Sequence, residues 1–168
     1  FHSFCVRLLR REAEAAGLPP GFLIYDEDDQ LAAVREAMRA LDLSEKLHPP
    51  RRVLSRISAR KNSGRAGEDE DGYASDLTTR VMERYREVLR AAGAVDFDDL
   101  LLRAVALLDG SEAVREAWRQ RFPFLLVDEY QDTNRPQYRL LQSRAGEERN
   151  VFAVGDPDQS VYGFRGAD

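Results

Sequence analysis

The sequence has a single cysteine, Cys5. An internal disulfide is therefore excluded, and a reducing compartment is the expectation. No apolar run approaches the roughly 20 residues needed to cross a bilayer. No basic segment leads into an apolar one as in a secretory leader. The expectation is accordingly a cytoplasmic protein with no membrane partner. The chain also lacks an initiator Met: it opens on Phe1 and closes on "FRGAD", which has no tail-like composition, so it reads as a piece of something longer. Uniform basic charge is missing too, since the net charge of −5 argues against a generally basic nucleic-acid binder.

What is present is a charged, helix-forming chain: 33% of its 168 residues are Asp, Glu, Lys or Arg, above the usual quarter. The length suits one ordinary domain, or one domain and part of another. "HSFCVRLLRREAEAAG" predicts a helix with Ser3 as cap and Gly17 as terminator. "FLIYDEDDQLAAVREAMRAL" predicts a short extended piece and then a helix capped by Asp26, with Leu31, Val34, Met38 and Leu41 at helical spacing. Pro49 and Pro50 open a third helix running to about Lys61. Residues 51–65 hold Arg51, Arg52, Arg56, Arg60, Lys61 and Arg65 with no acid among them, and Arg52, Arg56 and Arg60, four apart, share a face. This stripe is either a solvated helix face or a contact to a phosphate backbone. Residues 62–72, "NSGRAGEDEDG", predict a mobile loop.

Further helices are predicted over about Tyr73–Ala92, with Leu77, Val81, Tyr85 and Val88 inward; over "DFDDLLLRAVALLDG", with Phe97, Leu101, Ala104, Val105 and Leu108 inward; and from a Ser111 cap to Phe122, with Trp118 in the core. The pattern changes at Pro123. "FLLVD" is apolar throughout and too short for a helix, as expected of a strand buried on both faces. "TNRPQYRLLQSRAG" predicts a helix capped by Asn134, with Gln137 three residues on and Pro136 in the first turn. "NVFAVGD" predicts a second buried strand. Residues 124–155 thus predict strand–helix–strand, a right-handed parallel crossover. One such unit after about 120 mostly helical residues is only part of an α/β sheet.

Ligands of parallel sheets bind beyond the carboxyl ends of the strands. Asp128 and Glu129 stand at one end, Gly155 and Asp156 at the other. The reading places Asp128, Glu129 and Asp156 together with the Gln159 amide in one crevice. Clustered carboxylates there are costly to ionise unless a cation sits beside them, and oxygen donors without His or Cys suit Mg²⁺. Mg²⁺ held by one or two carboxylates shares its shell with phosphates, which points to nucleotide chemistry. An apolar strand ending in Asp-Glu has the form of a Walker B element, although "GDPD" is equally compatible with an ordinary turn.

"LLVDEYQDTNRPQY" and "AVGDPDQSVYGFRGAD" resemble motifs II and III of the superfamily 1A DNA helicases of the UvrD/PcrA/Rep group. "FHSFCVRLLRR" resembles their motif Ib without its usual leading Thr, and "VDFDDLL" resembles a further short family motif. The resemblance implies a partial RecA-like P-loop NTPase sheet in an α/β fold with a large all-helical insertion. Residues 1–17 and 94–168 would belong to the first RecA-like domain, and residues 18–93 to the helical 1B subdomain.

It implies ATP and Mg²⁺ as cofactors. Asp128 would hold the metal, Glu129 would be the general base, Gln131 and Asp132 would complete the nucleotide site, and Gln159 would sense the γ-phosphate. Tyr162, Phe164 and Arg165 would face single-stranded DNA, with Phe164 standing where many members carry Trp; read without the resemblance, both aromatics fit a core equally well. His2 and Ser3 match DNA-contacting positions, and Arg52, Arg56 and Arg60 would reach duplex DNA. Asp98 and Asp99 are compatible with simple helix capping.

The implied protein is an ATP-dependent helicase or translocase, of 3′→5′ direction, acting in bacterial DNA repair or replication near the nucleoid. Its partners would be single-stranded and partly duplex DNA and the remaining helicase domains of the same chain. Nothing in the sequence matches G-x-x-x-x-G-K-[ST], so the phosphate-cradling loop is absent and the chain alone is expected to be inactive. The alternative is a nucleic-acid-binding or interaction module with a vestigial nucleotide site; a Mg²⁺-dependent nuclease stands third.

Overall fold

A computed structural model describes residues 1–63, 72–145, 150–156 and 158, with only the backbone for 72–75. Its elements, in chain order, are α1 (His2–Arg11), β1 (Leu23–Ile24), α2 (Glu27–Ala40), α3 (Pro50–Ser63), α4 (Gly72–Ala91), β2 (Ala94–Val95), α5 (Phe97–Gly110), α6 (Glu112–Arg121), β3 (Leu125–Val127), α7 (Arg135–Ala145) and β4 (Val151–Ala153). A single 3-10 turn spans Tyr130–Asp132 between β3 and α7. The chain divides into two compact units: residues 18–99, and residues 1–17 with 100–168.

The unit formed by residues 18–99 is built on local signals. Asp26 and Asp29 form a reciprocal capping box at the start of α2, with Asp29 N–H donating to Asp26 Oδ1 at 2.9 Å and Asp26 N–H to Asp29 Oδ2 at 3.2 Å. The apolar stripe of α2 then meets α3 and α4 in one core containing Val34, Met38, Val53, Ile57, Val81 and Tyr85. Burying each such side chain contributes about 1.5–3 kcal/mol, so this core, more than helix propensity, holds the three helices. Gly93, at φ +60°, supplies the left-handed turn that ends α4 and admits β2. β2 pairs with β1 in parallel, Leu23 opposite Ala94 and Ile24 opposite Val95. Two-residue strands are too short to leave a periodic pattern, and β2 was not foreseen.

A buried polar cluster closes this unit. Lys61 Nζ donates to Asp96 Oδ2 at 2.6 Å and to Asp99 Oδ1 at 2.8 Å. Tyr85 Oη donates to the same Asp96 oxygen at 2.8 Å, while Asp96 Oδ1 accepts the Asp99 N–H, also at 2.8 Å. Lys61, a member of the basic run at residues 51–65, is therefore enclosed: its side chain is 1% exposed. Asp96 also takes the helix-capping position at which Asp98 and Asp99 were considered. Asn62 Nδ2 donates to Asp98 Oδ1 at 2.9 Å. Burial raises the Asp98 carboxyl above its ordinary range, opposed by hydrogen bonds from Asn62 and Ser58.

In the other unit, α1 is shorter than predicted. It ends at Arg11, where the chain passes into turns up to Gly17, and its N-cap is Phe1 without a side-chain cap bond; Ser3 lies inside the first turn. Glu12, just past the helix end, is engaged instead by the Trp118 indole N–H at 3.1 Å. Trp118 packs edge-on to Phe4 and stacked on Phe122, with centroids at 5.5 and 5.6 Å. Ser111 caps α6 through Val114 N–H, and Asn134 and Gln137 bond reciprocally at the start of α7.

β3 and β4 pair in parallel with α7 between them, Leu125 opposite Val151 and Val127 opposite Ala153. The strands are not buried on both faces. Phe124 is 74% and Leu126 81% exposed, and β4 is exposed along its length. Among the described residues no layer covers that face, so the apolar composition of the strands is only half used. Phe97, expected inward, is likewise exposed. Of the predicted loop at 62–72, residues 62–63 end α3 and residue 72 begins α4; the rest lies outside the described residues. No helix among the described residues is long and apolar enough to cross a membrane.

Candidate functional site

β3 carries the chain to Asp128 and Glu129 at its carboxyl end, as the sequence predicts. Asp128 is exposed, and its Oδ1 accepts the Glu129 N–H at 3.0 Å. Glu129 then adopts a left-handed conformation, φ 52° and ψ 47°. A non-glycine residue there is held against its preference, at a cost of about 1–3 kcal/mol. The surroundings that hold it are visible. Tyr130 N–H donates to Val154 O at 2.9 Å, anchoring the turn to the end of β4. Gln131 Nε2 donates to Glu129 Oε2 at 2.6 Å, while Gln131 Oε1 accepts the Asp156 N–H at 3.1 Å. One amide therefore reads both strand ends, fixing the Glu129 carboxylate relative to the backbone after β4.

Gly155 is what lets these ends approach. A Cβ at Gly155 would lie 2.6 Å from Gln131 Oε1 and 3.1 Å from the backbone nitrogens of Tyr130 and Gln131. Any side chain there would push Gln131 away from Glu129. This role was not legible in the sequence, because the close approach is set by β3–β4 register. The nearest signal was the glycine at a predicted strand end.

The structure revises the expected convergence of Asp128, Glu129 and Asp156. Among the described residues no three or more His, Cys, Asp or Glu side chains are grouped to hold a metal ion. Asp156 reaches Gln131 through its backbone, and its carboxylate accepts the Asp158 N–H at 3.0 Å. Asp128 still offers an exposed carboxylate oxygen, the donor type a hard cation takes, and Mg²⁺ commonly uses one or two carboxylates with water and phosphate filling its shell. The residues present fit that kind of binding.

Asp132 is half-buried, and its Oδ1 has no hydrogen-bond partner among the described residues. His2, half-buried, and Ser3, exposed, begin α1. On α3, Arg52 is exposed and Arg56 half-buried, whereas Arg60 donates to Thr79 Oγ1 at 2.7 Å. Gln159, Tyr162, Phe164 and Arg165 lie outside the described residues.

The profile of the UvrD/REP helicase N-terminal domain family matches residues 1–168. The chain is similar to the ATP-dependent DNA helicase PcrA of Staphylococcus epidermidis and to that of Staphylococcus aureus, at 37% identity over 172 residues in each case. Each alignment covers 100% of this chain and 24% of the relative, so the chain spans about a quarter of the length of these proteins.

Proposed function

Because this chain belongs to the UvrD/REP helicase N-terminal domain family, we propose that it forms the water-activating part of the nucleotide site of an ATP-dependent DNA helicase. The observation that carries this reading is the Glu129 carboxylate, fixed at the end of β3 by Gln131. Residues 1–17 and 94–168 belong to a RecA-like domain in this proposal, and residues 18–93 form its helical 1B insertion.

Each residue then has a distinct task. Bound Mg²⁺ would neutralise phosphate charge and orient the γ-phosphoryl group. Asp128 holds the metal through its exposed carboxylate. Glu129 accepts the proton of the attacking water, Gln131 keeps that carboxylate aimed, and Asp132 links the nucleotide site to neighbouring motifs. General bases of this kind contribute about 10²–10⁴-fold. Gln159 senses the γ-phosphate from the segment after Asp156. Tyr162, Phe164 and Arg165 follow within a few residues and stack on single-stranded DNA, a contact worth about 1–3 kcal/mol per base. His2 and Ser3 touch the same strand.

Arg52 and Arg56 contact the duplex phosphates. Arg60 joins them only if its bond to Thr79 is given up. Replacing all three by Ala should weaken duplex binding and flatten its salt dependence; unchanged binding removes them from the interface.

The 168-residue chain alone has no phosphate-gripping loop and hydrolyses no ATP in this reading. The reading is tested with the intact protein on duplexes bearing a 3′ or a 5′ single-stranded tail. ATP-dependent strand separation from the 3′ tail is expected; separation from the 5′ tail reverses the assigned direction, and none from either tail refutes the helicase function.

A further inference from the structure

Three carboxylates, Asp96, Asp98 and Asp99, gather where β2 passes into α5, against the last turn of α3. Lys61 bonds two of them, Asp96 at 2.6 Å and Asp99 at 2.8 Å. Asp96 has both oxygens occupied: Oδ2 also takes the Tyr85 hydroxyl, and Oδ1 takes the Asp99 N–H. Asp98 is served differently. Its hydrogen-bond partners are neutral, Asn62 Nδ2 at 2.9 Å to Oδ1 and the Ser58 side chain. Arg60, also on α3, donates to Thr79 Oγ1. Tyr85, from α4, brings no charge, because burial and the neighbouring carboxylates raise its phenol well above the ordinary range.

Asn62 carries an independent observation. Its Nδ2 also donates to Ser58 O at 2.9 Å, and since a carbonyl can only accept, the orientation of the amide is set. The amide hydrogens are thereby committed, while Asn62 Oδ1 is buried and has no hydrogen-bond partner among the described residues. A buried acceptor without a donor costs stability, and so does a buried carboxylate among neutral groups. One proton on Asp98 removes both costs. It neutralises the carboxyl and supplies the donor that the amide oxygen lacks.

We infer that Asp98 carries a proton in the folded protein at neutral pH and donates it in a hydrogen bond to Asn62 Oδ1, closing a two-bond acid–amide pair that fastens the end of α3 to the first turn of α5. The proton is taken from solvent on folding and returned on unfolding. Ser58 fits either state, because its hydroxyl hydrogen rotates. Burial raises the Asp98 carboxyl, and Asp96 adds to it, while Asn62, Ser58 and Lys61 pull the other way; the net direction is upward, in keeping with a bound proton. The pair is a pH-sensitive fastening: it is complete at and below neutral pH and opens when Asp98 ionises in alkali.

The test follows hydrogen exchange of the α4 backbone amides in the intact protein, which reports opening of the unit formed by residues 18–99. Asp98→Asn keeps an acceptor for the Asn62 amide and brings its own N–H to Asn62 Oδ1, with no proton needed. Its protection should exceed that of the parent at pH 7. The ratio of the two should shrink roughly tenfold for each pH unit down toward pH 5, since the parent takes up one proton on folding across that window. Asp98→Ala removes the charge and both bonds, and should be less protected than Asp98→Asn at either pH. A ratio that does not change with pH overturns the proposal, and so does protection of Asp98→Asn below the parent at pH 7. Equal protection of Asp98→Asn and Asp98→Ala overturns it as well, because relief of charge would then be the whole effect.

Discussion

Lys61→Met removes one charge from an enclosed polar cluster and leaves its packing volume nearly unchanged. The Lys61 and Asp96 side chains are each 1% exposed and Asp99 is 18% exposed, with N–O distances of 2.6 and 2.8 Å. Without the ammonium, two carboxylates remain within reach of one another, one of them fully enclosed. Asp96 keeps the Tyr85 hydroxyl and the Asp99 N–H, which soften the loss without neutralising the charge. Breaking one side of a buried pair costs about 3–5 kcal/mol, a large fraction of the ~5–15 kcal/mol that holds a domain together. Urea unfolding followed by far-ultraviolet circular dichroism should show that loss as a lower midpoint at unchanged slope. Adding Asp96→Asn to Lys61→Met should recover part of it, giving a coupling of about 0.5–3 kcal/mol in the double-mutant cycle. A loss below about 1 kcal/mol, the range of exposed pairs, together with additive single effects, would refute the reasoning.

Other perturbations follow from the same geometry. Asp98→Asn should raise stability near neutral pH. Because the folded carboxyl titrates above its unfolded value, the wild type loses stability as pH rises through that window, so the advantage of the amide should fade as pH falls toward the ordinary Asp range in urea titrations at several pH values. Cys5 is fully buried and its thiol is pushed up to about 12, so a thiol reagent at mildly alkaline pH should label it only after denaturant is added. Gly155→Ala should cost about 1–3 kcal/mol by overpacking, and in the intact protein it should also slow ATP hydrolysis by displacing Gln131 from Glu129.

What the sequence disclosed depended on how local the cause was. The capping box of α2, the Ser111 cap of α6 and the Asn134–Gln137 pair of α7 involve residues three apart, and all are visible in a string of letters. The placement of Asp128 and Glu129 at a strand end is similarly local, since the four apolar residues Phe124 to Val127 before a turn leave little choice. The burial of Lys61 was not legible because its partners stand 35 and 38 positions away, and a lysine among arginines carries no mark of burial. The strands were misread for a complementary reason. Apolar composition reports what a strand is built to cover, and Leu126 and Phe124 are uncovered among the described residues. Gln131 was assigned to the site by motif resemblance alone; its two hydrogen bonds, one donated to Glu129 and one accepted from the Asp156 N–H, depend on the register of β3 against β4.

The most direct measurement is ATP turnover by the intact protein carrying Glu129→Gln. The substitution keeps the shape of the side chain and a carbonyl oxygen able to accept from Gln131, and removes the basic carboxylate. DNA-stimulated hydrolysis is predicted to fall by about 10²–10⁴-fold while Mg²⁺-dependent ATP binding persists. Hydrolysis at the parent rate would show that the carboxylate at the end of β3 does not activate the water.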